Sequence, residues 1–95
     1  MTIKTIIRRR IPRGKEKEAL PFLLELRKLA IEQPGYICGE TLRNMDDPEE
    51  IVVIGTWKSY DAWKSCINNK KRLELVKKID EILGTSTEYK VYQYA

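Results

Sequence analysis

The segment Gln33–Trp63 constrains the fold more than any other part of this 95-residue chain. It opens on Pro34-Gly35, which cannot continue a helix, so the chain must turn there. Two strand-like runs follow, at 36–43 and 50–57, joined by a polar loop around Asp47-Pro48. Ile51-Val-Val-Ile54 is continuously apolar, which predicts a central strand covered on both faces. Thr56-Trp57 ends that run, and Ser59 is a natural N-cap for a short helix through Ile67.

The flanking segments complete the pattern. In residues 2–11, Ile3, Thr5, Ile7 and Ile11 alternate with Lys4, Ile6, Arg8 and Arg10, the period of a strand. Pro12-Arg13-Gly14 breaks it. Residues 15–33 place Ala19, Phe22, Leu23, Leu26, Leu29 and Ala30 on one helical face. Pro21 predicts a first turn near it or a kink. After the Asn68-Asn69 break, Leu73, Val76, Ile79, Ile82 and Leu83 form the apolar stripe of a further helical run, capped by Gly84. Residues 87–94 alternate again, with Tyr89 and Val91 on one face and Tyr92 and Tyr94 on the other. The order β-α-β-β-α-β is the ferredoxin-like split βαβ arrangement, an α+β fold with a four-stranded antiparallel sheet. Its helices cover one face of that sheet. Val52 and Ile54 then face outward with no chain left to cover them, and a homodimer packed sheet to sheet is the simplest solution.

Composition narrows the function. Residues 1–95 are expected to form one domain, and a chain this short often gains stability by oligomerising. There is no histidine, so histidine-ligated metals or haem and any histidine base are absent. Cys38 and Cys66 have no metal-like spacing and read as reduced, partly buried thiols. The net charge of +4 is mild. It is too weak to argue for nucleic acid, and the strands lack the paired aromatic platform that single-stranded RNA needs. Arg8-Arg9-Arg10 and Lys70-Lys71-Arg72 read as solvated charge clusters. No window approaches the ~18 apolar residues of a membrane span. The N-terminus lacks the layout of a secretion signal. The expected location is cytoplasmic.

Gly14-Lys15 before the first helix, Pro34-Gly35-Tyr36, Glu40-Thr41-Leu42-Arg43 and Trp57-Lys-Ser59-x-x-Ala62-Trp63 occur in an order and spacing that resemble the antibiotic biosynthesis monooxygenase family of dimeric α+β barrels. The resemblance covers nearly the whole chain. It implies a homodimer and a cavity between helices and sheet. It also implies oxygenation of a quinol or polycyclic phenol without metal or flavin, the substrate anion itself reducing oxygen. Haem-degrading relatives place an asparagine, a tryptophan and a histidine at positions that here hold Ile7, Cys66 and about Val76. That activity is therefore not expected.

On this reading Trp57, Trp63, Tyr36 and Ile7 are the candidate substrate-binding residues. Both tryptophans are equally suited to a buried core. The catalytic candidates are Arg9, Tyr60 and Cys66. Arg9 falls on the apolar register of the first strand, where a guanidinium must snorkel out at the strand end or meet a partner or an anionic ligand. Cys66 is a small filler or a substrate-facing thiol. Tyr60 follows the helix cap, near the surface. Glu40 is expected to pair with Arg8, Arg10 or Arg43. Two other readings stay open. One is a non-enzymatic binding or stress-response module on the same fold. The other is a small isomerase or decarboxylase in which Glu40, Tyr60 or Cys66 serves as acid or base.

Overall fold

The computed structural model describes residues 1–95. It contains β1 (Ile3–Arg10), α1 (Glu16–Glu32), β2 (Tyr36–Arg43), β3 (Glu50–Trp57), α2 (Tyr60–Ile67), α3 (Lys70–Leu83) and β4 (Glu88–Gln93). The four strands form one antiparallel sheet in the order β2-β3-β1-β4. The architecture is the expected open ferredoxin-like α+β fold, with the second helical segment divided into α2 and α3. The division falls at Asn68-Asn69, where Asn69 Oδ1 accepts the Arg72 amide at 3.1 Å and starts α3 as its N-cap.

Local chemistry sets the other boundaries. Ser59 Oγ accepts the Ala62 amide at 3.1 Å and caps α2. Gly84 ends α3 in the left-handed conformation at φ 70°. Pro21 lies inside a continuous α1, where it removes one intrahelical donor without ending the helix. Gly35 combines φ 89° with close approach: a Cβ there would stand 2.5 Å from the Ala62 Cβ. Its carbonyl accepts the Lys58 amide at 2.8 Å, so the turn before β2 is fastened to the end of β3.

The strand register assigns every side chain to a face. Ile3, Thr5, Ile7 and Arg9 of β1 stand opposite Trp57, Gly55, Val53 and Ile51 of β3, and this face meets the helices. One core cluster joins Ile11 and Ile51 to Ala19 and Leu26 of α1 and to Leu75, Ile79 and Leu83 of α3. The other joins Ile3, Ile7 and Trp57 to Trp63 and Cys66 of α2. The opposite face carries Ile6, Leu42, Val52, Ile54 and Tyr92, and no element of the chain covers it. Leu42 and Tyr92 remain about half exposed.

Four expectations are corrected here. The stripe of α3 runs through Arg72, Leu75, Ile79 and Leu83, while Leu73 is exposed. The long stem of Arg72 takes an interior position that its charge had suggested was solvent, so Lys70-Lys71-Arg72 is not a uniform solvated cluster. Cys38 is exposed, because it lies on the uncovered face of β2. Glu40 pairs with none of the expected arginines. Arg8 instead pairs with Glu50 and Glu88, Arg10 with Asp47 and Glu49, and Arg43 with Glu16.

A cavity between the helices and the sheet

A cavity of about 280 Å³ lies between the sheet and the helical layer. It exists because α1 packs on α3 and only lightly on β2, leaving a gap over that side of the sheet. Leu20, Leu24 and Glu16 of α1 and Arg43 of β2 stand at this gap, and all four are exposed. The floor is hollowed at one rung of the sheet, where Gly39, Gly55 and Thr5 lie side by side on β2, β3 and β1.

The space above these glycines is occupied by polar tips. A Cβ on Gly39 would stand 2.8 Å from the Tyr36 hydroxyl. One on Gly55 would stand 2.9 Å from Thr5 Oγ1 and 3.2 Å from Trp57 Nε1. The bare backbone thus lets a phenol, a hydroxyl and an indole N–H converge on the floor. Aromatic rings continue the wall. Tyr36 and Trp57 meet edge to face at 5.4 Å, Trp57 and Trp63 at 5.7 Å, and Trp63 reaches Tyr89 at 6.1 Å. Edge-to-face pairs of this kind hold rings rigidly and contribute beyond the area they bury.

Two arginines supply the charge. Arg9 is 5% exposed, and its Nε and Nη2 are buried without a hydrogen-bond partner. It does not snorkel: it stays on the helix-facing side of β1, in the row opposite Ile51. Burial lowers its pKa; Tyr89 opposes this, repulsion from Arg72 adds to it by less, and Asp80 opposes it least. Arg72 is 3% exposed and donates through Nη1 to the Tyr89 hydroxyl at 3.3 Å. Its guanidinium carbon lies 5.4 Å from the centre of the Tyr89 ring and 6.0 Å from that of Trp63, within cation–π range. No carboxylate is buried anywhere in the chain. A buried guanidinium with unused donors is costly unless a ligand supplies the acceptor.

Six of the seven residues singled out from sequence line this cavity: Arg9, Cys66, Trp57, Trp63, Tyr36 and Ile7. The two tryptophans are both core and wall. Cys66 is buried, and burial raises its pKa, so the thiol stays protonated near neutrality. Tyr60 does not line the cavity; it is half exposed beside Lys64. Arg72, Thr5, Gly39 and Gly55 complete the site and were not anticipated. For Arg72, the three-to-four-residue spacing to Leu75, Val76 and Ile79 was the available signal. No three His, Cys, Asp or Glu side chains come together as a metal ion would require. No helix is long and apolar enough to cross a membrane.

Comparison with known proteins agrees with this fold. Residues 2–78 match the family model described as antibiotic biosynthesis monooxygenase. No individually curated protein matches the chain. Among solved structures, a conserved protein from Methanosarcina mazei superimposes with a TM-score of 0.89 at 18% identity, covering 100% of this chain and 94% of its own. SnoaB from Streptomyces nogalater, a cofactor-independent oxygenase, superimposes with a TM-score of 0.83 at 17% identity, covering 99% and 93%. At such identities the likeness is one of fold.

Proposed function

The chain belongs to the antibiotic biosynthesis monooxygenase family, and on that premise we propose that it is a cofactor-independent monooxygenase of a quinol or polycyclic phenol. The observation that carries the reading is Arg9, buried, unpartnered and opening onto an aromatic-walled cavity. Such a cation favours the ionised form of a phenol and lowers its pKa on binding. Tyr36, Trp57 and Trp63 hold the flat ring, and the apolar walls keep water from the electron-rich anion.

In this reading the substrate is the reductant and molecular oxygen the oxidant. A phenol with a free ring C–H position opposite its hydroxyl becomes the quinone. One oxygen atom enters the ring and the other leaves as water, so atoms and electrons balance without a further reductant. The protein binds, orients and ionises the substrate. Cys66, protonated and buried, fills space beside Trp63.

The uncovered sheet face supports a homodimer. Ile6, Val52 and Ile54 sit at its centre, flanked by Leu42 and Tyr92. Ile54→Lys places a charge there and is expected to give monomers in analytical ultracentrifugation; a dimer unchanged by it contradicts this use of the face.

The activity is tested by oxygen uptake with product detection, using metal-stripped protein and a panel of quinols and polycyclic phenols. Turnover above autoxidation that is lost in Arg9→Gln supports the reading. A folded protein without turnover across the panel moves the assignment to a non-catalytic binding module.

A further inference from the structure

We propose that the ligand of this cavity carries two anionic groups, an ionisable ring hydroxyl and a carboxylate, held by Arg9 and Arg72 respectively. The inference rests on the ligand-binding cavity proposed above and specifies its substrate class.

Charge balance leads to this conclusion. A single phenolate answers one buried cation, yet two guanidiniums line the cavity and no carboxylate is buried with them. Of the acidic side chains nearby, Glu16 is at the exposed mouth and already paired with Arg43, and Glu40 points to the opposite face of the sheet. The half-buried Asp80, which acts on Arg9, accepts a hydrogen bond from the Thr87 hydroxyl at 2.7 Å. Arg9 brings two unused buried donors. Arg72 has one N–H on the Tyr89 hydroxyl and lies near the Tyr89 and Trp63 rings, 5.4 Å and 6.0 Å from their centroids. A buried guanidinium with one N–H engaged and aromatic rings beside it keeps further donors for a planar carboxylate.

Spacing agrees. Tyr89, on which Arg72 packs, stands beside Ile7, one side-chain row along β1 from Arg9. Rows on one face of a strand are about 7 Å apart. An aromatic ring system with polar substituents on opposite sides spans a row of that size. A ligand of this kind neutralises both cations together.

The test compares 2-naphthol, 2-naphthoate and 6-hydroxy-2-naphthoate, with binding read from the fluorescence of Trp57 and Trp63. The hydroxynaphthoate is expected to bind on the order of tenfold more tightly than 2-naphthol. Arg72→Gln removes that preference while changing affinity for 2-naphthol little, and Arg72→Lys restores part of it. Equal wild-type affinities for the three probes, or an Arg72→Gln variant that weakens all three alike, overturns the inference. If Arg72→Gln does not fold, the wild-type comparison decides alone. Failure of the oxygenase reading is separately visible. Tight carboxylate-dependent binding without oxygen uptake sinks the activity and leaves this assignment standing. Turnover of simple phenols with no carboxylate preference does the reverse.

Discussion

The indole nitrogen of Trp57 lies 3.2 Å from the point where a side chain on Gly55 would begin. These two residues are only two apart on β3, so the ring folds back over the bare backbone of its own strand. The polar floor of the cavity depends on that hollow.

Gly55→Ala puts a methyl group 2.9 Å from Thr5 Oγ1 and 3.2 Å from the indole nitrogen. Both are tighter than ordinary contacts, and Trp57 is packed too closely by Tyr36 and Trp63 to move freely. The expected cost is about 1–3 kcal/mol of stability from overpacking. Ligand affinity falls, and tryptophan emission changes as the indole is displaced. Melting and fluorescence titration of the variant check both.

Arg9→Met is expected to separate stability from function. It removes a buried cation with two unmade hydrogen bonds and supplies a flexible apolar side chain of similar length. The gain is about 1–3 kcal/mol. For a domain of this size that is roughly 4–8 °C of melting temperature per kcal/mol. Binding of phenolic anions is lost in the same variant. A variant less stable than wild type contradicts the description of Arg9 as unpaired.

Much of this was legible in the sequence, and the rest was hidden for definite reasons. Pro34-Gly35, Ser59 and Gly84 marked element ends because each makes a local backbone arrangement that neighbouring residues determine. Arg9 was visible because it interrupts an alternating apolar register. Arg72 was hidden by the two lysines before it, since a basic run looks solvated until the helix phase is fixed by Asn69. The rung of Gly39, Gly55 and Thr5 requires the pairing of three strands and the bulge between Tyr36 and Cys38, and neither can be read along a single strand. The ion pairs of Arg8, Arg10 and Arg43 likewise follow from tertiary register.

Acid stability is set outside the cavity. Asn44 and Arg8 hold the Glu50 carboxyl below its usual range, and Arg10 does the same for Asp47. A depressed folded pKa gives stability that is complete above the unfolded value and is lost as pH falls through the folded one. The protein is therefore expected to lose stability progressively below about pH 4, the ordinary carboxylate range. Asp47→Asn combined with Glu50→Gln flattens that dependence. Denaturant midpoints between neutral and acid pH check it, and an unchanged slope in the double variant contradicts it.

The most direct test is the ionisation state of a bound phenol. The absorbance of 6-hydroxy-2-naphthoate is recorded across pH, free and at saturating protein. If Arg9 is an unpartnered buried cation facing the ligand, the bound hydroxyl ionises at least one pH unit below the free compound, and each unit corresponds to about 1.4 kcal/mol. Arg9→Met abolishes the shift. A bound hydroxyl that titrates where the free one does, or at higher pH, contradicts the account.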